Sequence, residues 1–283
     1  MKWQGRRGSR NIEDRRRSGG GGRTGKIGGL GLVLVLVIGY FLGIDVSPLI
    51  GGAGNGTISS GSGEVTAADE RAAEFVSVTL ADTEEVWAEI FRQQVGETYN
   101  PPTLVLFKGA TQSACGGASA ASGPFYCPPE MKAFLDTEFF TTLERRMGAG
   151  GDFAAAYVVA HEIAHHVQNQ LGILGQANRV RAQSSTAESN AISVRIELQA
   201  DCFSGIWARA VQQKFNSLER GDLDEAMNAA RQIGDDTLQR NAGQRVNPHT
   251  FTHGTSEQRQ RWFARGYQSG QMADCDTFSA TRL

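Results

Sequence analysis

In the run AYVVAHEIAHHVQNQ, residues 156–170, three of the chain's five histidines fall within six positions. Helical periodicity places His161 and His165 one turn apart on one face, so both imidazoles can converge on a single ion at about 2.1 Å from each nitrogen. Glu162 stands about 100° around the helix, where its carboxylate can reach a water on that ion without binding the ion itself. Two neutral imidazoles and a buried carboxylate are costly in an apolar helix without a compensating cation, which weighs against a helix of ordinary hydrogen-bonded core histidines. The pattern predicts metal-assisted hydrolysis, with one zinc ion (Zn2+) per chain and Glu162 as catalytic base and acid. His166 points away from this face and reads as a structural or surface residue.

A third ligand must come from elsewhere, and RIELQADC offers Glu197 and Asp201 on one helix face at i and i+4. With Glu197 as metal ligand, two His and one Glu leave the fourth tetrahedral position open, as in catalytic rather than structural zinc sites. Asp201 then accepts the free ring N–H of His161 or His165 and fixes its tautomer. The flanking Ile196, Leu198, Ala200, Cys202 and Phe203 argue against a merely solvated acidic pair. Hydrolysis also needs a donor facing the metal to hold the developing oxyanion. In VNPHTFTHGTSEQRQRWFARG, His253 is the first choice for this catalytic role and Arg259 the second.

Long helices must carry these groups. The periodicity predicts one over residues 66–95, with a possible break at 79–82, and one from Phe153 through the histidines with Asp152 as its cap. Others are predicted over TAESNAISVRIELQADCFSGIWARAVQQKF, LDEAMNAARQIGDDTLQ and TSEQRQRWFARGYQSG, the last capped by Thr255 or Ser256. PPTLVLF reads as a strand and GPFYCPPEMKAFLD as a second extended segment with turns at its Pro residues; TLVLF and the disulfide-closed loop around Phe125 and Tyr126 are candidates for the rim of a substrate cleft. The fold class is therefore α+β: a helix-rich domain with a small sheet.

That domain is expected over residues 64–283, behind a Gly/Ser-rich linker at 45–63. Residues 27–44 carry no charge across eighteen positions and read as one N-terminal transmembrane helix. Residues 1–26 hold nine Lys and Arg against Glu13 and Asp14. They read as a basic cytoplasmic tail touching anionic lipid rather than nucleic acid, and the positive-inside rule then places everything after Ile44 outside the cytoplasm, at the periplasm or cell surface. Export suits four cysteines without a Cys-x-x-Cys pair. Of the three possible disulfide pairings, Cys115 with Cys127 and Cys202 with Cys275 is preferred, because the first closes a short, turn-rich loop.

The motifs KWQGRRGSRNIEDRR, CGGASAASGPFYCPPE, HEIAHHVQNQLGI, ELQADCFSGIWA and FTHGTSEQRQRWFARGY together resemble the bacterial membrane-anchored putative neutral zinc metallopeptidase family. The resemblance implies a zincin-like fold of gluzincin type, with His161, His165 and Glu197 on the metal and Asp201 matching the second acid of its Glu-x-x-x-Asp motif. HGTSEQR is also similar to the His-Pro-x-x-x-x-Arg segment of HtpX and CAAX-processing membrane proteases, which implies that His253 and Arg259 lie near the substrate carbonyl. Here Gly254 stands in place of the proline. The function read from all of this is a membrane-anchored zinc metalloendopeptidase acting on peptides or proteins. The alternatives are a zinc-stabilised binding module without catalysis, or a zinc amidase acting on cell-wall amide bonds.

Overall fold

The computed structural model describes residues 1–17, 64–119, 123–145 and 147–283. The expected span at 27–44 and the linker at 45–63 lie outside the described residues, among which no helix is long and apolar enough to cross a membrane. The described chain is helix-rich α+β with a four-stranded sheet and a separate hairpin.

Helix α1 (Ala67–Ile90) starts at a capping box between Thr66 and Asp69 and ends in a π-helical turn at Phe91–Val95. No break interrupts it at 79–82. The Thr79 and Thr83 hydroxyls donate to the carbonyls of Phe75 and Leu80, so these buried polar groups are satisfied within the helix itself. The main sheet runs β1 (Ile12–Asp14), β2 (Thr103–Phe107), β6 (Lys132–Asp136), β5 (Phe125–Cys127). The first three strands are parallel and β5 is antiparallel to β6. The segment expected to be extended with turns at its prolines is a β5–β6 hairpin, turned at Pro128 to Met131, where Met131 has φ 52°. Strand β2 is flanked on both sides and buried, so TLVLF cannot line a cleft, whereas β5 is an edge strand among the described residues. Strands β3 (Ala110–Ser113) and β4 (Gly116–Ser119) form the separate hairpin.

Helix α2 (Glu138–Arg145) leads to the histidine helix α3 (Asp152–Gln170), whose cap position is Gly151 rather than Asp152. Glu225 takes over the capping, accepting the Phe153 N–H at 3.0 Å. After α4 (Ile173–Arg181) comes α5 (Thr186–Phe215), entered through a Ser185/Glu188 capping box. The expected single helix at LDEAMNAARQIGDDTLQ is split at Ile233–Gly234 into α6 (Asp222–Gln232) and α7 (Asp235–Asn241). Helix α8 (Ser256–Ser269) is capped by Thr255. Helix α3 packs against α1, α4, α5 and α6 and against β5 and β6, and its faces are almost wholly buried. Both predicted disulfides form, Cys115–Cys127 and Cys202–Cys275.

The largest departure from expectation is at the N-terminus. Strand β1 is hydrogen-bonded in parallel to β2, and Met1 and Trp3 are buried in the main core. The Trp3 indole N–H donates to Asp152 at 2.8 Å, and Arg6 forms a two-pronged pair with Asp82 at 2.6 and 2.8 Å. Arg16 is buried and paired with Asp14 and Glu70, while Arg7 and Arg17 meet Glu85 and Glu70. Arg6, Arg7, Arg15, Arg16 and Arg17 of the basic run thus pair with carboxylates of their own chain. Residues 1–17 pack against the domain expected to begin at residue 64.

Candidate metal centre

Helix α3 presents His161 and His165 to α5, which crosses it with Glu197 facing them. The Glu197 carboxylate lies 3.0 Å from His161 Nε2 and 3.6 Å from His165 Nε2. One donor atom from each of the three residues falls within 4.8 Å of the other two. A tetrahedral zinc with bonds near 2.0–2.1 Å needs donors about 3.3 Å apart, so these separations fit the ion. His161, Glu162 and His165 lie on one helix as expected, and Glu197 joins them from the other.

The electrostatics fit a cation as well. Burial opposes charge on His161, but Asp201 and Glu197 outweigh it and push its pKa up to about 10. His165 is raised in the same sense, burial again opposing and Glu197 prevailing. Burial opposes charge on Glu197 as well, yet the two imidazoles hold it well below the usual carboxylate range. Positive charge is what this pocket stabilises. Glu162 differs: burial raises its pKa, and among the described residues no salt bridge engages it.

Asp201 is wholly buried, with Oδ1 2.9 Å from His161 Nδ1, though off the straight hydrogen-bond line. The Tyr157 hydroxyl donates to Oδ1 at 2.5 Å, and Arg259 clasps both oxygens at 2.9 and 3.0 Å. Arg259 is 2% exposed and also donates to the Ile233 carbonyl. Its guanidinium thus holds Asp201 in place while still forming part of the cavity wall. A one-turn spacing from His161 was the available sign of Tyr157.

His253 does reach the cavity wall, in company with Glu162 and Glu197. Its Nδ1 is 3.2 Å from Asp235 Oδ1, and Asp235 Oδ2 accepts the backbone N–H groups of Thr252, His253 and Gly254 at 2.6 to 2.9 Å. No sequence motif marks Asp235; only its place at the start of α7 hints at a capping acid. Gly254 has φ +91°, which a proline cannot adopt, so this turn differs from a His-Pro segment in conformation as well as in residue.

The cavity holds about 450 Å³ and is mostly apolar, with Phe139, Met147, Val158, Leu174 and Leu238 around the polar centre. Phe125 and Tyr126 of β5 form part of its wall, as does Cys115 of the first disulfide.

A family model described as "Putative neutral zinc metallopeptidase" matches residues 1–278. The chain is 45% identical over 287 residues to the uncharacterized protein YpfJ of Escherichia coli K12, covering 98% of this chain and 99% of that one. An uncharacterized protein of Mycobacterium tuberculosis H37Rv is 46% identical over 195 residues, 65% of each chain. No solved structure matches.

Proposed function

The chain belongs to the putative neutral zinc metallopeptidase family, and from that membership we propose a zinc metallopeptidase with His161, His165 and Glu197 as ligands and Glu162 as general base and acid. The observation that carries this is the convergence of Nε2, Nε2 and a carboxylate oxygen beside Glu162, which is buried, without a salt bridge among the described residues, and part of the same cavity wall. Zinc, when bound there, supplies Lewis acidity that acidifies a water and polarises a carbonyl.

The chain's own groups do the rest. Burial keeps the Glu162 carboxylate more basic than usual, which suits it to take a proton from water and return it to the leaving amine. His253, braced by Asp235, presents its other ring nitrogen to the cavity, where a donor can hold the oxygen that gains charge. Arg259 and Tyr157 fix Asp201, and Asp201 faces His161. The edge strand β5 can add an extended substrate as a further strand, with its side chains in the apolar cavity.

The test is substitution of Glu162 by Gln, which keeps shape while removing the proton acceptor. Zinc measured by mass spectrometry should remain near one per chain and peptide hydrolysis should fall by at least about 10²-fold. His161→Ala, His165→Ala and Glu197→Ala should each strip the metal. Full activity in Glu162→Gln would refute the assignment.

A further inference from the structure

The two histidines are anchored differently. His161 faces an ionised carboxylate, but His165 Nδ1 lies 2.9 Å from Oε1 of Gln168, an uncharged amide with no exposed surface. The Gln168 amide nitrogen donates to the Ile196 carbonyl at 2.8 Å and to Gln199 Oε1 at 3.0 Å. The Gln199 amide nitrogen donates in turn to the Cys275 carbonyl at 3.1 Å.

Directions in this chain follow from its ends. Backbone carbonyls can only accept, so Gln199 must aim its NH2 at Cys275 and its oxygen at Gln168. Gln168 must then aim its NH2 at Ile196 and Gln199, and its oxygen at His165. Flipping either amide would set acceptor against acceptor in a buried site, at a cost no water relieves. His165 Nδ1 is therefore the donor, and a neutral ring with its proton on Nδ1 turns the lone pair of Nε2 toward Glu197.

We propose that Gln168 and Gln199 form a one-way hydrogen-bond relay, running from the Cys275 carbonyl to His165, that sets the ligand tautomer of His165. Both are positioning residues, acting through His165 without touching substrate. The relay also makes the segment around Cys275, which the Cys202–Cys275 bridge fastens to α5, part of what holds the metal. The proposal rests on the zinc assignment above.

The experiment is a double-mutant cycle on the full chain, reading zinc affinity by competition with a chromophoric chelator. Gln168→Leu should weaken zinc about 10–100-fold, as loss of a ligand's outer partner does. Gln199→Leu should weaken it less, and the double variant should lose no more than Gln168→Leu alone, because one relay cannot be broken twice. In the zinc-loaded protein, the slowly exchanging Nδ1 proton of His165 seen by NMR in the wild type should be lost or exchange fast in Gln168→Leu. Should Gln168→Leu fail to fold, Gln199→Leu and the same proton carry the test. Additive losses, or a His165 Nδ1 proton unchanged by either variant, would overturn the relay. Unaltered affinity in variants of a zinc-binding wild type sinks the relay alone, whereas a wild type that binds no zinc sinks the parent assignment.

Discussion

Asp235 holds His253 from two directions, by its ring nitrogen and by the backbone on either side of it. Burial opposes a proton on that imidazole, but the hydrogen bond to Asp235 and the field of Glu197 raise its pKa above the ordinary value. A protonated His253 can donate to an oxyanion; a neutral one with its proton on Nδ1 cannot. Asp235→Asn removes the charge that favours the proton, so the basic limb of the pH–rate profile should move to lower pH. At neutral pH, kcat should fall by about 10²-fold, the scale of losing one oxyanion donor, with zinc content unchanged. A profile and kcat identical to wild type would remove His253 from the mechanism. Arg259 poses a different case, since a buried guanidinium clasping a buried carboxylate is costly to break from either side. It is better understood through the fixed position of Asp201 than through substrate.

Among the elements, α1 is tied to the sheet at one carboxylate. Asp69 closes the capping box with Thr66 and also accepts from Lys108 and Thr137, which follow β2 and β6. Burial works against its charge, yet these donors prevail and hold its pKa below the usual carboxylate range. A lowered folded pKa means stability that is present above the unfolded pKa and lost as pH falls through the folded one. Asp69→Asn should therefore cost about 2 kcal/mol at neutral pH, the scale of hydrogen bonds to a charged group. In chemical denaturation that gap should narrow as pH drops below about 4; a gap constant with pH would refute the charge-based account. Elements with local signals were legible in the sequence: α5 begins at its predicted first residue and α8 at one of its two predicted caps, and α3 and α5 carry the ligands where helical spacing puts them. What escaped had no local signal. The split between α6 and α7 lies at Gly234, where a side chain would strike Ser256 of another helix, so tertiary packing decides it. The crossing of α5 and α8 is similar: a Cβ on Gly205 would stand 2.0 Å from the Phe263 carbonyl oxygen, and one on Gly266 1.8 Å from that of Cys202. Asp235 and Gln168 were hidden for the same reason, since their partners are set by the fold.

At the scale of the whole molecule, the packing of residues 1–17 was not legible, because a basic run looks the same in sequence whether lipid or distant carboxylates neutralise it. A fragment of residues 64–283 lacks β1, exposes the edge of β2 and leaves Asp82 buried without Arg6. It should be less stable than the full chain, and a synthetic peptide of residues 1–17 added in trans should bind and raise its melting temperature. A peptide carrying Trp3→Ala and Arg6→Ala should bind at least tenfold more weakly; equal binding by both would disprove docking through these contacts. The same arrangement bears on the order of folding. Residues 1–17 leave the ribosome before their partners, for Trp3 bonds to a residue 149 positions later and β1 to a strand some ninety later. Contacts of such separation form slowly, because loop closure must precede any reward. Until then β1 is an unpaired strand in a growing chain, open to pairing with other copies. Arg6, Arg7, Arg10, Arg15, Arg16 and Arg17 crowd that waiting segment with like charge, so they act as gatekeepers against self-association before all but Arg10 become ion pairs among the described residues of the finished domain.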